Sequence, residues 1–328
     1  MQLFLKKHLE QKNFHYKYKL LNNECTLCEE RKIVEGWADG FIDRDGKILD
    51  DFQINFHSAL WEFYIHQLLK NMEQKIDYSK NRPDFIVKNQ DNSDRFYIEA
   101  RISGIKSNGR AEVDRDSNDL FKVENPVWKL PDFHTIINEG IIRCSNAFQY
   151  KALTKYDDYK TDKWFSEKVP YIIGLSSYSQ INYGLESHYS ILALLYGTYV
   201  EYGGLTFSKG PKVKKTNTEW KVSAIDTNLF GKKEYAHVSA VLFTSKLTLG
   251  KLTALSVSKG THSNNLVMNV YQDIAAKKFI IKSINENNPE NFADGLFLFH
   301  NPNATNPLNP SIFKDQGIIQ VFQKKIKN

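Results

Sequence analysis

The chain is predicted to adopt an α/β fold: a mixed central β-sheet flanked by helices, with a C-terminal α+β extension. Three patterns predict it. Phe96, Ile98, Ala100 and Ile102 alternate with Tyr97, Glu99 and Arg101, the period-two signature of a strand with one buried face. The run Val169-Pro170-Tyr171-Ile172-Ile173-Gly174-Leu175 is almost continuously apolar, as a central strand covered on both faces must be. Leu60, Trp61, Tyr64, Ile65, Leu68, Leu69 and Met72 recur at helical spacing and form one wide stripe for packing on such a sheet.

In chain order, residues 1–45 form an N-terminal lead-in. Cys25-Thr26-Leu27-Cys28 has half the spacing of a zinc knuckle, but no second pair follows, so the cysteines are expected to be plain thiols. Glu35 to Ile42 is expected to be a strand, followed by a tight turn at Asp43-Arg44-Asp45-Gly46. His57 to Met72 is the first helix, with Glu62 at the margin of its apolar stripe. Phe85-Ile86-Val87 and Phe96 to Ile102 are two strands joined through the polar segment 88–94. Ser103 to Asn125 is a long charged loop carrying Lys106, Arg110, Arg115 and Lys122. Glu139 to Tyr156 is the second helix. Its apolar side holds Ile141, Cys144, Phe148 and Ala152, and Lys151 and Lys155 fall on that same side. Leu185 to Tyr196 is a third helix, ending at Gly197 as a C-cap. Residues 46–200 then form the core, and 201–328 an extension packed on it. His237–Phe243 and Gly295–His300 read as further strands. Lys209, Lys212, Lys214 and Lys215 lie in a basic run suited to phosphate contacts.

The hairpin concentrates charge. A turn about Asp91-Asn92 makes positions summing to 183 face each other, which sets Asp84 opposite Glu99. Like charges so placed repel unless a cation lies between them. Hard carboxylate oxygens without histidine or cysteine suit Mg²⁺ or Mn²⁺. Arg101, two residues on, points to the same face.

These residues resemble the PD-(D/E)XK nuclease superfamily, with its restriction-endonuclease-like core. That family's signature is Pro-Asp at the start of one strand, Glu-x-Lys in the next and a Glu on the preceding helix. Pro83-Asp84, Glu99-Ala100-Arg101 and Glu62 match it, over roughly residues 55–200. The resemblance implies metal-dependent hydrolysis of a phosphodiester. Asp84 and Glu99 would hold Mg²⁺ (or Mn²⁺), and Glu62 would orient the attacking water or bind a second ion. Arg101 stands where the family most often has lysine. A guanidinium stays protonated and makes no general base, so Lys151 is expected to take the lysine's role, with Lys155 in reserve and Arg101 clamping the phosphate. DNA is the substrate implied, with RNA as the alternative. A restriction or anti-phage role, acting as a homo-oligomer or beside a defence-system partner protein, follows by analogy. The rival expectation is a catalytically inactive nucleic-acid-binding protein, or a subunit of a defence complex, that keeps the scaffold.

Bulk composition, 41% hydrophobic and 25% charged, is ordinary for a soluble globular protein. Forty-four basic against thirty-eight acidic side chains give +6, a mild excess that permits nucleic-acid binding. Three cysteines argue against a disulfide-stapled secreted domain. No apolar run approaches the ~20 residues a membrane span needs, and a cytoplasmic protein is expected.

Overall fold

The computed structural model describes residues 1–4, 13–104, 110, 112–114, 116, 130–177, 184–201, 207–209, 213–218, 221–261, 267–273, 278–314 and 316–323. Four α-helices precede the first strand among these residues: α1 (Tyr16–Asn23), α2 (Cys28–Ala38), α3 (Ile48–Ile54) and α4 (Phe56–Asn71). The strands β1 (Lys75–Asp77), β2 (Phe85–Lys88) and β3 (Asp94–Ile102) follow. Helix α5 (Phe133–Gln149) runs through a π-helical turn (Tyr150–Lys155) into the short α6 (Tyr156–Tyr159). Next come β4 (Tyr171–Ser176), α7 (Tyr189–Tyr196), β5 (Thr198–Val200), β6 (Phe207–Lys209), β7 (Val213–Thr218) and β8 (Lys221–Ile225). The remaining elements are β9 (Val238–Thr244), α8 (Leu249–Val257), β10 (Val267–Asp273), β11 (Lys278–Ile284), β12 (Leu296–His300) and β13 (Ile319–Phe322).

Seven strands make one mixed sheet in the order β1-β2-β3-β4-β9-β12-β13. The β1/β2, β2/β3 and β9/β12 pairs are antiparallel, while β3/β4, β4/β9 and β12/β13 are parallel. Alternation along the strands divides the core into two layers. Phe85, Val87, Phe96, Ile98, Ala100, Ile172, Ala240 and Leu242 pack under α4 and its neighbours. Ile86, Tyr97, Tyr171, Ile173, Leu175, Val241 and Phe243 pack against α5 and α7 on the other face. β4 is buried at every residue, as its unbroken apolar run requires. Helix α4 is buried around most of its circumference because α2 and α3 cover its outer side. Gly174 on β4 lets α4 approach closely: a Cβ there would lie 3.1 Å from Ile65 Cδ1. Across the same gap Trp61 Nε1 donates to Gly174 O at 3.1 Å.

One expectation is corrected. Glu35 to Ile42 is not a strand, because Glu35–Ala38 completes α2. Glu30, Val34, Trp37 and Ala38 follow helical spacing and are all buried, so the helical face prevails over the short apolar run. Within residues 201–328, β9, β12 and β13 are strands of the central sheet. Helix α7 ends at Gly197 with φ +67°, the left-handed C-cap expected there. Cys25 and Cys28 are exposed free thiols, and Cys144 is buried. Of the long charged loop, Lys106, Arg115 and Lys122 lie outside the described residues. No helix among the described residues is long and apolar enough to cross a membrane.

Candidate active site

The hairpin register is the starting point. Phe85 lies opposite Ile98, Ile86 opposite Tyr97 and Val87 opposite Phe96, the series that carries Asp84 to Glu99. A bulge at Val87/Lys88 and a left-handed Asn92 (φ +66°) close the turn. β2 begins only at Phe85, so the edge of β3 beyond Ile98 has no strand beside it, and Asp84 fills that notch. Its Oδ2 accepts the Ala100 N–H at 2.7 Å, and its own N–H donates to Glu99 Oε2 at 3.3 Å. Arg44 holds the approach segment from behind. Its guanidinium donates to the carbonyls of Lys80 at 2.5 Å, Pro83 at 3.0 Å and Asp84 at 2.8 Å.

Lys151 enters from the opposite side. It sits in the π turn after α5, buried, and its ammonium donates to Glu99 Oε1. A π turn widens the helix and frees backbone carbonyls. Here the Tyr171 hydroxyl donates to Lys151 O at 3.1 Å, and His237 Nε2 lies 2.6 Å from Ala152 O. The Tyr159 hydroxyl of α6 also favours the charged form of Glu99, and Glu99 in turn, after burial, raises the Tyr159 phenol.

The electrostatics are those of crowded carboxylates around one cation. Burial and the Asp84 charge push Glu99 up to about 7, against the pull of Lys151. Burial, then Asp84, raises the Glu62 carboxyl well above its usual range, Lys151 opposing and Glu99 adding to the shift. Burial would lower the Lys151 ammonium, but Glu99 and Asp84 outweigh it and hold the lysine above its ordinary value.

Asp84, Glu99 and Lys151 therefore come together from three separate segments, with Glu62 on α4 within electrostatic reach of them. Lys155 does not join them: its ammonium is 3.3 Å from Asp158 Oδ2 and 5.7 Å from the Tyr150 ring centroid. Arg101 is exposed, with its guanidinium 5.0 Å from the same ring. Of the basic run, Lys209 lies on β6, and Lys214 and Lys215 on β7, which packs near α5; Lys212 lies outside the described residues.

No protein-family model, no curated protein and no solved structure matches the chain.

A second polar cluster was not foreseen. Among the described residues, one trio of histidine, cysteine or carboxylate ligand atoms lies within 4.8 Å of one another: His15, His57 and Glu112. His57 Nε2 is 3.0 Å from Glu112 Oε2, and Lys17 Nζ is 2.5 Å from Glu112 Oε1, all three groups buried. Burial would raise the Glu112 carboxyl, yet His57 and Lys17 bring it down to about 2. Lys17 already supplies the cation that Glu112 needs, so this cluster ties α1 and the segment after β3 to α4. Nothing local in the sequence marks it, because its members come from three distant segments.

Proposed function

We propose that the chain is a Mg²⁺-dependent nuclease of PD-(D/E)XK type that hydrolyses phosphodiester bonds of DNA. The observation that carries this is the convergence of Lys151 on Glu99 beside Asp84, with Glu62 within electrostatic reach. The donor set suits the metal. Mg²⁺ is commonly bound by one or two carboxylates, keeping waters and substrate phosphate as its other ligands. Asp84 and Glu99 offer oxygen donors only, and a divalent cation would offset the burial and the Asp84 charge that keep Glu99 up near 7. When bound, the ion would stabilise negative charge on the phosphate and make water a stronger nucleophile.

The chain's own residues divide the rest of the work. Asp84 and Glu99 are held in register by the β3 edge, so neither has to move to act as a pair. Glu62, within electrostatic reach of these carboxylates, would orient the attacking water or bind a second ion. Lys151 stays charged, pins Glu99 and places a positive group where phosphate charge develops. Arg101, permanently charged, is left free of the carboxylates to contact a phosphate.

The test is cleavage of supercoiled plasmid by the purified chain with Mg²⁺ and with EDTA. Asp84→Ala or Glu99→Gln should abolish cleavage while the far-UV spectrum is kept. Full cleavage by either variant, or none by the parent chain, would overturn the assignment.

A further inference from the structure

Tyr150 stands next to Lys151 at the first position of the π turn and takes no part in the carboxylate cluster. It is one of the large side chains left on the surface, 37% exposed, although Lys151 and Ala152 beside it are buried. Two cations face its ring. Arg101, from β3, has its guanidinium 5.0 Å from the centroid, and Lys155, from the end of the turn, has its ammonium at 5.7 Å. Neither is committed to the carboxylates, since Lys151 takes Glu99 and Lys155 leans on Asp158 at the surface. An aromatic ring and two cations thus meet at one exposed spot, with Lys151 and Glu99 just beneath.

Such a grouping has a specific use. Exposed cation–π contacts are individually weak, so the three side chains gain little by sitting together. A nucleobase stacked on a tyrosine gains more, and its adjoining phosphates need positive charge. A base inside a duplex already has both faces covered by its neighbours and cannot stack on protein. We propose that Tyr150, Arg101 and Lys155 form a nucleotide-binding patch for single-stranded or locally opened polynucleotide. One base stacks on Tyr150, and the phosphates on either side are held by Arg101 and Lys155. The inference rests on the nuclease reading of the neighbouring carboxylates and narrows its substrate to unpaired strand at the point of cleavage.

Binding is measured apart from turnover, by fluorescence anisotropy of a labelled oligonucleotide in EDTA. Single strands and the matching duplex are compared, with deoxy and ribo single strands run in parallel. The full chain should bind a single strand more tightly than the duplex. Either sugar supports the patch, and the tighter one identifies the natural strand. Tyr150→Ala should weaken single-strand binding by roughly 5–150-fold, the range of one lost stacking contact. Tyr150→Phe should bind like the parent, because stacking needs the ring and not the hydroxyl. Tyr150→Leu keeps bulk without a π face and should behave like Tyr150→Ala. Equal affinity for duplex and single strand, or retention of tight binding by Tyr150→Leu, overturns the proposal. The two readings fail separately. Single-strand binding that depends on Tyr150, without Mg²⁺-dependent cleavage, keeps the patch and removes the nuclease. Cleavage with binding indifferent to Tyr150 does the reverse.

Discussion

Replacing Lys151 by Met removes one charge from a buried pair and keeps most of the stem's volume, so its effect should depend on pH in a defined way. Glu99 is 2% exposed and titrates near 7 in the fold against 4.5 in the unfolded chain. A carboxyl raised on folding binds its proton more tightly in the native state. It costs nothing below pH 4.5, and stability falls as pH rises from there to about 7, by roughly 3 kcal/mol. Without Lys151 the Glu99 proton is held more tightly still, so the fall keeps its slope and continues above pH 7. Lys151→Met should therefore cost little at pH 5, where Glu99 is neutral in both chains, and up to about 1.4 kcal/mol more at pH 8, since one proton retained between pH 7 and pH 8 is worth no more than that. Lys151 itself titrates above 10.5 and stays charged throughout this window. The assay is urea unfolding of parent and variant in EDTA at the two pH values. Equal losses at both, or no loss at pH 8, would refute the electrostatic account of the pair. In the plasmid assay the same variant should lower turnover by about 10²–10⁴-fold, the scale of a lost acid–base or electrostatic group.

Two further outcomes follow from other residues. Arg44→Ala removes three donors from the segment that aims Asp84, so it should lower stability by about 1.5–3 kcal/mol and reduce turnover at least ~10-fold through misplacement. Arg44→Lys should recover only part of both in paired unfolding and cleavage assays, because one ammonium cannot span three carbonyls in a fork. Glu112 is the opposite case to Glu99. Its carboxyl is lowered on folding to about 2, so its stabilisation is present above pH 4.5 and is lost as pH falls toward 2. Glu112→Gln should cost roughly 3 kcal/mol at pH 7 and almost nothing at pH 2, as read from thermal unfolding at the two pH values.

Much of the site-bearing region could be read before the structure, because its signals are local. The alternation from Phe96 to Ile102 defines the buried face of β3, and the turn residues 89–93 set the hairpin register. A one-residue slip would have turned Glu99 to the α4 side. Lys151 and Lys155 could not be told apart by helical spacing. The π turn adds a residue to the repeat, which sends Lys151 into the cluster and leaves Lys155 at the surface. Arg44 was hidden for another reason: its partners are backbone carbonyls of a distant segment, and carbonyls carry no sequence label. The strand expected at Glu35 to Ile42 failed because the run was read without the helical positions Glu30 and Val34 before it. The place of β9, β12 and β13 inside the main sheet was beyond reach, since a strand's composition does not name its neighbours.

The strand order also governs how the chain is made. β4 has β3 on one side and β9 on the other, but β4 ends at Ser176 and β9 does not begin until Val238. At about 5–20 residues per second, a ribosome needs roughly 3–12 s to deliver that partner. During this interval the hairpin with Asp84 and Glu99 can already form, while β4, buried at every residue in the finished fold, presents an open edge to solvent or to other nascent chains. Codon choice and chaperone supply across the segment between these two strands should therefore weigh more on the yield of folded protein than changes at the end of the sheet that carries Asp84 and Glu99.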